Sequence, residues 1–248
     1  DRLLIAIHHL MVDGISWRVI IPDLESCYQQ IKDGKEVKLS PKTSSYQDWG
    51  NALVEYADNK AIDDLDYWLK ISESIKPLKH DFACKQDYAT NMDGVQISWD
   101  KKHTDDLLNK SQQAYNTEIN DLLLSAFTLA LANWQKIDSV SFNLEGHGRE
   151  DCVSGVDITR TVGWFTSLFP VALSLPEIKD INNLTDLDYK ACIQSIKEQL
   201  RDIPDKGLSY GALKYLASSS LSSSKEQIDA ISNLHTSKTS FNYLGQFG

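Results

Sequence analysis

The stretch INDLLLSAFTLALANWQKIDSVSFNLEGHGRE, residues 119–150, sets the class of the fold. Ile119, Leu122, Leu123, Ala126, Phe127, Ala130, Leu131 and Trp134 recur at three- and four-residue spacing, which lays them along one face of a helix. Asn116 or Thr117, just ahead, offers a side-chain oxygen to cap it. Beyond Asp138 the period changes. Val140, Phe142 and Leu144 alternate with Ser141, Asn143 and Glu145, the period of a strand. Glu145 then stands on the polar face at the strand's end, directly before Gly146 and Gly148, which permit a sharp turn. A helix feeding such a strand is a unit of an α/β protein.

The same interleaving continues outward. Val162 to Leu175 forms a second, more apolar strand region. Tyr189, Cys192, Ile193, Ile196, Leu200 and Ile203 mark a helix ended by Pro204, and Ser218 to Ser224 reads as an exposed loop. Toward the N-terminus, a strand at Gly94 to Trp99 precedes a helix near Thr104 to Tyr115. Residues 76–92 show little periodicity, and a crossing between two lobes is expected at 79–93. Ser45 to Leu69 carries Trp49, Leu53, Tyr56, Tyr67 and Trp68 at amphipathic spacing, one or two helices. Ile15 to Ile31 is helical, opened by Ser16, kinked or restarted at Pro22 and closed by Gly34. Leu3, Ile5, Ile7 and His9 alternate with Leu4, Ala6 and His8, as in a strand. No internal repeat is present.

Composition excludes several classes. The 248 residues are 42% hydrophobic and 24% charged, with a formal net charge of −10. That acidity, with no Lys/Arg cluster, argues against nucleic acid or an anionic membrane as partner. Cys27, Cys84, Cys152 and Cys192 follow no metal-ligand spacing and read as reduced, mostly buried thiols of a cytoplasmic protein. No apolar run is long enough to span a bilayer, and there is no signal peptide. The chain begins without Met and stops just after a strand-like run, Thr239 to Leu244, so it is expected to be an internal piece of a longer polypeptide.

Two constellations carry chemistry. His8-His9-Leu10-Met11-Val12-Asp13-Gly14 sets a doubled histidine before a tight turn. Strand alternation would send the rings to opposite faces, so one alone points into a given cleft. A histidine suits proton transfer because its ordinary pKa lies near neutrality; a hydrogen-bonded structural histidine is the equal alternative. Asp13 suits orienting the turn or pairing with an arginine. Glu145-Gly146-His147-Gly148-Arg149-Glu150 offers Glu145 as a general base, with Arg149 as a local charge partner; alone, it would read as a polar hairpin. Neither Walker nor dinucleotide spacing is present. In Arg160 to Pro170, Trp164 and Phe165 are assigned to core, while Arg160 calls for a carboxylate partner. No serine-led hydrolase motif occurs.

In this order, the segments resemble the epimerization domains of nonribosomal peptide synthetases. The matching positions are His8 to Gly14 with Ser16-Trp17-Arg18; Asp121 to Leu124; Glu145 to Glu150; Arg160 to Thr166; Pro204 to Gly211; and Phe241 to Phe247. Condensation domains share the His-His-x-x-x-Asp-Gly element and generally lack the Glu145 to Glu150 and Phe241 to Phe247 signatures. Pro22 departs from the pattern, where an acidic residue is usual, and so does Gly248, where Asp is usual.

The resemblance implies an α/β, chloramphenicol-acetyltransferase-like two-lobed fold truncated at both ends. Residues 1–78 would be the remainder of the N-terminal lobe and 94–248 an incomplete C-terminal lobe. It implies L-to-D epimerization at the α-carbon of an aminoacyl or peptidyl thioester, with His9 and Glu145 as the acid/base pair. The substrate would ride on the phosphopantetheine arm of a peptidyl carrier protein upstream in the same polypeptide, beside neighbouring synthetase domains. No cofactor or metal of its own is expected. His8, Asp13, Gly14, Arg160, Asn242 and Tyr243 would support the site, Asp13 and Arg160 as an ion pair bracing the histidine loop. A condensation-type acyltransferase and an inactive carrier-docking scaffold are the alternatives. The resemblance implies an active site in a tunnel between the lobes, so a piece that lacks the front of the N-terminal lobe, one wall of that tunnel, is expected to be a poor catalyst alone.

Overall fold

The computed structural model describes residues 2–82, 93–111, 115–217, 226, 229–230 and 233–245. Cys84, the serine-rich loop at 218–224 and most of the expected 79–93 crossing lie outside them. The chain groups into two compact units, one of residues 1–73, 142–171 and 203–248, the other of 74–141 and 172–202.

In the first unit, helix α1 spans Gly14–Lys32. Asp13 is its N-cap, accepting from the Ser16 backbone N–H at 2.7 Å, so Ser16 is the third helical residue rather than the cap. Pro22 sits inside one continuous helix, with Gly34 beyond its end in the left-handed region at φ 69°. Ser45 and Asp48 cap α2, Tyr46–Asn59, reciprocally. A 3-10 turn at Ala61–Asp64 leads into α3, Leu65–Ser74. The predicted amphipathic stretch is thus two helices. Trp68 is fully buried, its ring 5.2 Å from that of Tyr210 and its Nε1–H donating to Ser209 Oγ at 2.9 Å.

The second unit contains α4, Lys101–Asp105, which runs into a π turn at Asp106–Lys110, and α5, Ile119–Gln135. The cap of α5 is Glu118, not Asn116 or Thr117: the Asp121 carboxylate accepts from the Glu118 N–H at 2.8 Å. The buried face also differs from the predicted one. Asp121, Leu124, Ser125, Thr128 and Ala132 are buried, whereas Ala126, Ala130 and Trp134 are exposed. Asp121 goes inside because Arg201 meets both of its oxygens, at 2.9 and 2.8 Å. Small residues on that stripe admit α6, Asp186–Arg201, and Ile196 and Cys192 fill the core there.

Strand β1, Ser139–Gly146, is central in a three-stranded sheet of order β2-β1-β3. Strand β2 is Ser167–Ser174, and β3, Ser240–Phe241, runs parallel to β1 with Asn143 opposite Ser240. Five consecutive residues of β1, Val140 to Leu144, are buried, so both faces are covered up to Glu145. A 3-10 turn at Pro204–Gly207 precedes α7, Leu208–Leu216, which packs on α2.

Two predicted strands do not form. Residues 2–7 and 94–99 take no regular structure, with Leu4 91% and Val95 95% exposed. Alternation qualifies a segment for pairing, but a strand also needs a partner edge, and among the described residues neither segment has one. The described thiols, Cys27, Cys152 and Cys192, are free, and only Cys192 is fully buried.

Candidate active site

Everything at this site belongs to the first unit. It begins at the N-terminus of α1, where the helix turns on a buried carboxylate. Asp13 is 4% exposed. Its Oδ1 accepts from Ser16 and its Oδ2 from the Phe165 N–H at 3.2 Å. Arg149 Nη2 approaches both oxygens, at 3.1 and 3.3 Å. Burial alone would raise the Asp13 pKa, but the hydrogen bonds from Arg149 and Ser16 outweigh it and hold the carboxyl below its ordinary value. Arg149 Nη1 donates to the carbonyls of Ile158 and Thr161, at 3.1 and 2.7 Å, and its guanidinium lies 3.9 Å from the Phe165 ring centre. Gly163 N–H donates to Ser16 Oγ at 3.1 Å. The 158–165 segment is therefore fastened to the cap of α1.

This corrects two sequence-based pairings. Asp13 pairs with Arg149, not Arg160, and Arg149 does not partner Glu145. Arg160 Nη2 instead reaches both oxygens of Asp23, each at 2.7 Å, tying the same segment to the middle of α1. Residue spacing could identify these charges as needing partners but could not match them across such long stretches of chain.

Gly148 is dictated by a close approach. It adopts φ 67°, and a Cβ there would fall 1.7 Å from the Phe165 carbonyl oxygen. The turn after β1 is thereby pressed onto the backbone of Phe165, which sets Glu145 beside the α1 terminus. Glu145 accepts from Asn242 Nδ2 in a short hydrogen bond. Asn242 follows β3 directly, so the parallel pairing of β1 with β3 delivers both side chains to one end of the sheet.

His9, Asp13, Gly14, Glu145, Asn242 and Tyr243 line one cavity of about 160 Å³, together with Arg18, His147 and Thr166. Of the paired histidines, His9 lines the cavity and His8 does not. They lie in a turn rather than a strand, where His8 Nδ1 accepts from the Leu10 N–H at 3.1 Å. Arg160, on Asp23, is likewise outside the cavity lining. Trp164, assigned to core from its apolar context, is 41% exposed and sets its ring edge-on to His9 at 5.5 Å; Phe165 is buried as expected. Sequence reasoning missed Arg18 and Thr166 as cavity residues, although both fall within the ordered motifs, in Ser16-Trp17-Arg18 and Arg160 to Thr166.

The family model for condensation domains matches residues 1–247, and the chain belongs to the condensation-domain family, with its α/β, chloramphenicol-acetyltransferase-like fold. It is 39% identical over its whole length to surfactin synthase subunit 2 of Bacillus subtilis (strain 168), spanning 6% of that protein. It is 40% identical over its whole length to tyrocidine synthase 1 of Brevibacillus parabrevis, spanning 22% of it. Among solved structures it is similar to the epimerization domain from the third module of tyrocidine synthetase B. That likeness has a TM-score of 0.80 and 37% identity, and covers 98% of this chain and 53% of that one. The first condensation domain of the calcium-dependent antibiotic synthetase shares the fold, at TM-score 0.59 and 14% identity over 81% of this chain and 42% of that one. The chain thus spans a small share of its curated relatives and about half of the epimerization domain.

Proposed function

We propose that this chain carries the reacting centre of an epimerase acting on an aminoacyl or peptidyl thioester. The thioester is held on the phosphopantetheine arm of a peptidyl carrier protein, among neighbouring synthetase domains. The observation that carries the reading is that Glu145, held by Asn242, lines the same cavity as His9. The likeness to an epimerization domain over nearly the whole chain supports it.

The chemistry follows from the two groups. A proton on the carbon next to a thioester is acidic enough to be taken by a side-chain base, leaving an enolate. A single group that removes and returns that proton tends to restore the starting configuration, so inversion calls for a second donor across the plane. His9 and Glu145 are that pair, and Arg18 and Thr166 line the same cavity, where the enolate oxygen develops. Asn242 is a positioning residue that fixes the Glu145 carboxylate.

The test is α-deuterium uptake from heavy water by the full-length polypeptide, started separately from L- and D-aminoacyl carrier protein. His9→Ala and Glu145→Gln should each lower L-to-D conversion by roughly 10²-fold or more. They should retain exchange without inversion from opposite enantiomers. Full inversion by Glu145→Gln would remove Glu145 from the mechanism. The family match also admits a condensation-type acyltransferase; peptide-bond formation between two loaded carriers, with configuration unchanged, would establish that instead.

A further inference from the structure

A second cavity of the same unit, about 480 Å³, has Glu145 and Thr166 in its walls as well. Those two residues are therefore common to both cavities. The larger one is walled by α2, by Trp164 to Leu168 and by α7, and its lining is mostly aromatic and aliphatic. Among the described residues, Glu145 is its single acidic or basic lining residue, and that carboxylate is already engaged by Asn242. Size and lining fall in the range of small-molecule sites, which combine apolar walls with a few polar groups.

One wall residue has no explanation in packing. Gly211 lies inside α7, where glycine weakens a helix relative to alanine. It lacks the left-handed backbone that would call for glycine, and a Cβ added there would meet nothing within 4 Å. The residue holds space open against the cavity. Its neighbour Tyr210 is fixed from behind, its hydroxyl donating to the His235 carbonyl at 3.0 Å. Both residues come from the Pro204 to Gly211 motif, to which the acid/base chemistry assigns no part.

We propose that this cavity is the side-chain subsite of the substrate, and that it selects an apolar, preferably aromatic, side chain on the α-carbon that Glu145 and His9 serve. The inference rests on the epimerase reading and adds the substrate class. An α-carbon whose hydrogen faces Glu145 directs its three remaining substituents, the thioester, the nitrogen and the side chain, away from the carboxylate, into the two spaces that adjoin it. The small cavity, with His9 and Arg18, takes the thioester and the nitrogen. The larger one takes the side chain. An anionic side chain would lose its water there beside the Glu145 carboxylate, with no cationic group among the described lining residues, which is costly.

The experiment compares initial inversion rates of the full-length polypeptide on carrier protein loaded with phenylalanine, alanine or aspartate. Phenylalanine should exceed aspartate by roughly tenfold or more in kcat/KM. Gly211→Leu, which fills the cavity while favouring the helix, should lower the phenylalanine-to-alanine ratio by roughly tenfold. Equal losses for phenylalanine and alanine in that variant, or equal wild-type rates on phenylalanine and aspartate, would overturn the subsite and leave the epimerase reading standing. A wild type that inverts none of the three would overturn both.

Discussion

Asp13 shows how much a single side chain settles here. Its carboxylate caps α1, receives Arg149 and accepts from the Phe165 backbone. Arg149 in turn serves two carbonyls of the 158–161 turn. Leaving either charge buried without the other should cost about 3–5 kcal/mol. Asp13→Asn and Arg149→Met should each lower the chemical-unfolding midpoint, and in a double-mutant cycle the pair should couple by about 1–3 kcal/mol. Asp13→Asn combined with Arg160→Met should be additive within about 0.5 kcal/mol, since Arg160 holds Asp23. Coupling of Asp13 to Arg160 would contradict the geometry. Loss of activity by Asp13→Asn with an unchanged midpoint would make Asp13 a participant in the chemistry.

At the scale of elements, α1 is built against local preference. Pro22 lies in its interior, where proline lacks the N–H for the helical hydrogen bond and crowds the preceding turn. The helix persists because it is anchored on both sides of the proline, by the Asp13 cap at its start and by the Asp23–Arg160 pair one residue further on. Pro22→Ala should therefore raise the melting temperature, by an amount up to about 3 kcal/mol in stability. A lower melting temperature would show that the proline's shape is needed by what packs around it. Helix α5 makes the complementary point. Its periodicity is visible in sequence, yet its buried stripe is chosen by Arg201 reaching Asp121 and by small residues at the contact with α6.

For the molecule as a whole, the buried pair predicts an acid response. The Asp13 pKa is lowered in the folded state from its ordinary value of 3.8. The carboxylate therefore contributes stability at pH above the unfolded value, and that contribution is lost as pH falls through the folded value. Acid unfolding followed by circular dichroism should show wild type well above Asp13→Asn near neutrality. The gap should close as pH falls from the ordinary carboxylate value of 3.8 through the lowered folded value. A gap independent of pH would mean that the variant fails through packing rather than charge.

What the sequence determined by itself is what local physics decides. Helical and strand periods located α2, α5, α6 and β1, because the spacing of apolar residues within a dozen positions suffices to tell a helix from a strand. The ordered motifs pointed to the family and to His9, Glu145, Asn242 and Tyr243, four residues that do line one cavity. The remaining features depend on contacts between segments far apart in the chain. Arg149 rather than Arg160 meets Asp13 because their approach depends on the Gly148 turn closing onto Phe165, a contact between distant segments. The alternating segments 3–9 and 94–99 form no strand among the described residues, because strand hydrogen bonds are made with another segment, whose position no local pattern encodes. Trp164 faces His9 rather than the core for the same reason: an apolar side chain is buried only where the fold brings something to cover it.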